Sequence, residues 1–140
     1  MKRVLALSFL ALVLLASPAA LARPQSEIDI LYLFASTLQS SATDSETLTQ
    51  IITYDEDSDL FLFNTRMNQL DSATAKLVCT SGTEYYASLL DICKSLYDTF
   101  EKNLEDLGYS VDIAVTCTTS DGVIIMAYMN GIDCTSLLTQ

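Results

Sequence analysis

The sequence predicts an α+β domain: an antiparallel sheet of about four strands, made of two β-hairpins, with helices packed on one face in the order α-β-β-α-α-β-β. Three observations carry that prediction. Apolar runs rich in strand-favouring residues recur at 48–54, 60–65, 111–117 and 123–129; turn chemistry separates them in pairs; and the stretches 27–38 and 82–107 repeat apolar residues at three- and four-residue steps.

The chain opens on a segment that stands apart from this pattern. Lys2 and Arg3 precede an apolar run at 4–16, and Ala20-Leu21-Ala22 supplies a small-x-small cleavage site, so residues 1–22 read as a secretory signal peptide. The run is short for a spanning helix of about 20 residues, and Ser17-Pro18 follows it at once. No cysteine sits at the cut, so no lipid link and no stable membrane anchor are expected. Removing 22 residues from 140 leaves 118, the size of one domain spanning 23–140.

The first helix is expected over 27–38, where Ile28, Leu31, Phe34 and Leu38 share a face and Glu27 and Asp29 favour its positive end. The polar run 39–45 reads as a loop. Ile51, Ile52, Thr53 and Tyr54 then favour a strand, as do Phe61, Phe63 and Thr65, and the acidic run 55–59 between them is a turn, which makes the first hairpin. A competing pattern runs through Leu60, Phe63, Met67, Leu70, Thr74 and Leu77, whose spacing would suit one helix over 59–78. That alternative gives a mostly helical N-terminal part with a single C-terminal hairpin. The hairpin reading is preferred, with helix confined to 71–78.

The clearest element is the helix over 82–107. Ser81 and Glu84 have capping-box spacing, Gly108 is placed to end the helix in a left-handed conformation, and Leu89, Cys93, Leu96, Phe100, Leu104 and Leu107 form an apolar stripe widened by Leu90 and Tyr97. Beyond it, Val111, Ile113, Val115 and Cys117 alternate with Asp112, Ala114, Thr116 and Thr118, a strand with one buried face. Ser120-Asp121-Gly122 turns the chain into a second, more evenly apolar strand at 123–129, ahead of Asn130-Gly131.

Export makes the four cysteines candidates for two disulfides, since the count is even and the compartment oxidising. A strand over 111–117 runs back along the preceding helix for about 20 Å, equivalent to roughly 13 helical residues, and counting back from Asp106 reaches Cys93. Cys93 is therefore expected to pair with Cys117. Cys79 and Cys134 remain as the second pair by elimination, because Cys134 lies on the order of 30 Å along the chain from the position facing Cys117. Buried free thiols are the alternative.

Losing Lys2 and Arg3 takes the formal charge from −11 to −13, and the remaining cations, Arg23, Arg66, Lys76, Lys94 and Lys102, are too dispersed to neutralise several phosphates. Nucleic acid is excluded as a partner on that ground. Histidine is absent, which excludes histidine-dependent serine and cysteine triads, and no cofactor is indicated. Asp55, Asp57 and Asp59 alternate like the first half of a calcium loop, but Leu60 occupies the place of its glycine and Arg66 that of its bidentate glutamate, so a solvated turn is the expectation. The tyrosines read as core rim, with one of Tyr85 and Tyr86 exposed because neighbours on a helix cannot both face inward.

The run Ser95-Leu96-Tyr97-Asp98-Thr99-Phe100, followed by Leu107-Gly108-Tyr109, by Val111-Asp112-Ile113-Ala114-Val115 and by Met129-Asn130-Gly131, resembles the C-terminal helix-hairpin of small exported proteins of unknown function in anaerobic Gram-positive bacteria. The resemblance covers the last third of the chain and implies no activity; the cysteines depart from it. The expectation is a secreted, acidic, non-enzymatic domain that binds an extracellular protein or polymer. A small secreted hydrolase, or an inhibitor of one, is the alternative.

Overall fold

A computed structural model describes residues 23–138; the leader read at 1–22 lies outside them. The first helix, α1 (Gln25–Ser40), is longer than its apolar spacing marks, and it buries Leu31 and Ala35. Strands β1 (Leu48–Asp55) and β2 (Leu60–Met67) pair antiparallel from Leu48 opposite Met67 to Asp55 opposite Leu60. Period two thus prevails over the helical alternative for 59–78, since Phe61, Phe63 and Thr65 all turn inward. Helix forms only at α2 (Ser72–Val78), where the Asp71 carboxylate accepts the Thr74 N–H at 2.7 Å.

Helix α3 (Glu84–Asp106) is capped by Thr83 and not by Ser81: Thr83 Oγ1 accepts the Tyr86 N–H at 3.2 Å. The Thr83 hydroxyl also donates to the carbonyls of Val78 and Thr80, which closes the turn from α2 and leaves Ser81 on its outside. Gly108 ends α3 with φ of +85°, as its position predicts. Leu89, Cys93, Tyr97, Phe100 and Leu104 form the buried stripe, whereas Leu107, expected in it, is 49% exposed at the helix end.

Three further strands follow: β3 (Asp112–Thr119), β4 (Ile124–Met129) and the two-residue β5 (Ile132–Asp133). A single turn of 3-10 helix, Thr135–Leu138, comes after them. The sheet has five strands in the order β1-β2-β3-β4-β5, not about four, and it is mixed: β2 and β3 are parallel, the other pairs antiparallel. The parallel pair has a simple cause. Between them only α3 traverses the length of the sheet, so it returns the chain to the end where β2 began, and an adjacent β3 must run the same way. β5 arises because Asn130 and Gly131, with φ of +48° and +82°, form a two-residue hairpin turn that pairs Met129 with Ile132.

Helices α1 and α3 cover one face of the sheet. Phe61, fully buried, lies between Phe34 of α1 and Phe100 of α3, with ring centroids 5.6 and 5.9 Å away. Tyr54, Tyr97 and Tyr128 also belong to this core, and of the adjacent pair Tyr85 is the more exposed while Tyr86 packs against it. The opposite face of β3 is buried as well, contrary to a strand with one wet face: Ala114, Thr116 and Thr118 are all covered. β3 is the central strand, and a second cluster of Leu60, Ala114, Ala127, Met129 and Cys134 forms on that side.

Candidate functional site

Three connections converge at the α2 end of the sheet and enclose a cleft of about 660 Å3. One wall is α2, which presents Ser72, Ala75 and Lys76, with Cys79 at its C-cap and Thr80 and Ser81 continuing it. The floor comes from Val123, Ile124 and Ile125 at the start of β4, and the far side from Tyr86, Thr135 and Ser136. The spacing of these residues is that of one helical face, which is why a helix of seven residues supplies three lining positions and its C-cap a fourth.

Each wall is fixed by polar contacts, half-buried at Asp121 and exposed at Asp133. Asp121 in the β3–β4 turn accepts from the Ser72 N–H at 3.0 Å, from the Ser72 hydroxyl at 2.5 Å and from the Thr119 hydroxyl at 2.6 Å. The Ser72 and Thr119 hydrogen bonds pull its carboxyl down to about 2. On the far side, Asp133 accepts from the Tyr86 hydroxyl and the Thr135 hydroxyl, both at 2.6 Å. Burial opposes ionisation of Asp133, yet the hydrogen bonds from Thr135 and Tyr86 outweigh it and hold the carboxyl below its ordinary range. Burial pushes the Cys79 thiol up, so it stays neutral and adds to the apolar lining. Lys76 is the single charged lining residue, exposed and without an ion pair among the described residues.

This arrangement is suited to holding a ligand. Both carboxylates bordering the cleft are ionised and engaged in fastening its walls, so neither is presented as a proton donor to a bound molecule. The cleft was not legible in the sequence. Its α2 face mixes small, hydroxylated and charged residues, and the only available signal was the helical spacing of Ser72, Ala75, Lys76 and Cys79.

The acidic turn takes a different form from a calcium loop. Asp55 accepts from the Asp57 N–H and the Ser58 hydroxyl within the turn, at 3.2 and 2.6 Å. Asp59, with φ of +49°, points inward, where both its oxygens accept from the Arg23 guanidinium at 2.7 Å and one also from the Tyr54 hydroxyl at 2.6 Å. Arg23 in turn donates to the Ser110 carbonyl at 2.6 Å, so Asp59 ties the start of α1 to the approach to β3. Among the described residues no cluster of three or more potential metal ligands forms.

All four cysteines carry free thiols. Cys93 and Cys117 are both buried, with their Sγ atoms 3.7 Å apart, so the predicted first pair is brought into contact without a bond. The hydrogen bond with Cys93, together with burial, pushes the Cys117 thiol up. Cys117 faces Met126 across the hairpin, past the Val123 or Ile125 that the turn at Asp121 predicts, because a bulge shifts the register at Cys117 and Thr118. The second pair is not brought together: Cys79 packs against the helix-side core, while Cys134 belongs to the cluster on the other face and donates to the Ile132 carbonyl.

The β1 edge offers little to a partner strand. Along β1 the Gln39 side chain accepts the Ile52 N–H at 2.6 Å and donates to the Gln50 carbonyl, and the Gln50 N–H donates to the Thr43 carbonyl. On the other side β5 covers only Tyr128 and Met129 of β4, and Ala127 meets the Thr135 hydroxyl and the Cys134 N–H, which leaves the start of β4 as the edge. No described helix is long and apolar enough to cross a membrane. Compared with known protein families, curated proteins and solved structures, the chain matches none.

Proposed function

We propose that this chain is a non-catalytic binding domain that works outside the cell, with an extracellular protein or polymer as its partner and the α2–β4 cleft as its recognition site. The observation that carries the reading is the cleft itself. Its apolar floor and hydroxyl-bearing walls have the composition and volume of ligand sites, and the carboxylates beside it serve as fasteners. The blocked edge of β1 makes strand addition there a poor alternative.

The test compares the purified exported chain with Ser81→Trp, which places a large ring at the exposed mouth without disturbing a core position. Both are immobilised and exposed to secreted proteins and polysaccharides. A partner kept by the wild type and lost by Ser81→Trp supports the cleft. Equal retention by the two removes it, and turnover of a retained polymer overturns the non-catalytic reading in favour of a hydrolase.

A further inference from the structure

We infer that the cleft takes a peptide segment in which an apolar side chain lies beside a free carboxylate, as at the C-terminus of a protein ending in leucine or isoleucine. This deepens the binding reading and rests on it. Charge complementarity points to the carboxylate: in a chain with 18 acidic against 7 basic residues, the one charged group that lines the cleft is the cation Lys76. Its ammonium is exposed and has no carboxylate partner among the described residues, so an incoming anion displaces only water.

Shape and polarity point to a peptide in preference to a bare hydrocarbon chain. Ala75 and Ile124 provide an apolar seat of side-chain width. Around that seat the hydroxyls of Thr80 and Ser81 stand exposed at the mouth. Hydrocarbon laid across them would strip their water without replacing its hydrogen bonds, whereas a peptide brings its own N–H and C=O groups to meet them. The overall negative charge repels an acidic ligand at long range, so the contact with Lys76 is a local, short-range recognition that added salt should not abolish.

The experiment titrates the full exported chain with the peptide Gly-Gly-Leu-Leu as the free acid and as the C-terminal amide, by calorimetry, and repeats both with Lys76→Gln. The free acid should bind the wild type about threefold more tightly than the amide, a ratio expected of one exposed ion pair. In Lys76→Gln the ratio should fall to about one. Decanoate is the third arm. If decanoate binds and neither peptide does, the ligand class is wrong although the cleft still binds. Equal affinity of acid and amide for the wild type overturns the role of Lys76, and so does a ratio that survives Lys76→Gln, which would leave the lysine serving only the carbonyls at the end of α2. If no probe binds while Ser81→Trp still loses a captured partner, the inference fails and the broader reading stands.

Discussion

Oxidation of the Cys93–Cys117 pair should stabilise the domain strongly, and the structure sets the size of the effect. The two sulfurs are 3.7 Å apart inside the core and 24 positions apart in sequence, so a bond would close a ring of about 25 residues between α3 and β3. In the chain-entropy treatment such a ring removes freedom from the unfolded state worth about 3.5 kcal/mol at room temperature. For a domain of this size that corresponds to roughly 14 °C in the melting midpoint. The perturbation is reduction of the purified chain with a monothiol, with Cys93→Ser as the control, and the assay is urea unfolding followed by circular dichroism. Oxidised wild type should unfold at markedly higher urea than the reduced wild type, and Cys93→Ser should show no response to reductant. Mapping of peptides without reduction should recover the segments around Cys93 and Cys117 as one linked species. Identical midpoints with and without reductant, or a link between Cys117 and Cys134, would refute the reasoning.

Three other perturbations probe the fold and the walls of the cleft. Phe61→Ala empties the space between Phe34 and Phe100 and should cost about 3–5 kcal/mol in urea unfolding, whereas a loss under about 1 kcal/mol would contradict the packing. Gly108→Ala meets no atom within 4 Å, so its cost should be the left-handed backbone alone, about 1 kcal/mol. Asp121 has a folded-state pKa of about 2, below its unfolded value, so its contacts with Ser72 and Thr119 stabilise fully above the ordinary carboxylate range and are lost as the pH falls towards 2. Thermal melts of Asp121→Asn should therefore vary less between pH 5 and pH 2 than those of the wild type; parallel curves would show that Asp121 does not fasten α2.

Much of the fold was written in local patterns. The alternation in β2, the helical stripe of α3 and the glycine after it each follow from one segment's own chemistry, and each appears where its residues place it, whereas β3 keeps its extended form but buries both faces. The parallel pairing of β2 with β3 depends instead on which strands become neighbours, a choice made by packing α1 and α3 together on one face. The meeting of Cys93 with Cys117 was legible because rise per residue constrains a helix followed directly by a strand. The cleft was not, because its walls come from α2, the start of β4 and the turn after β5, and its fastenings join residues 47 and 49 positions apart. Asp55, Asp57 and Asp59 show the converse. Their spacing imitates half a calcium loop and reads as a solvated turn, yet Arg23 occupies the carboxylate of Asp59, a contact across 36 positions that no local pattern displays.

Amide hydrogen exchange of the purified chain, alone and with a captured partner, tests most directly whether the α2–β4 cleft is the recognition site. Slowed exchange in residues 72–81 and 123–125 is the predicted result. Protection confined to the exposed side of α1 around Ile30 and Leu33, with the cleft unchanged, would contradict it.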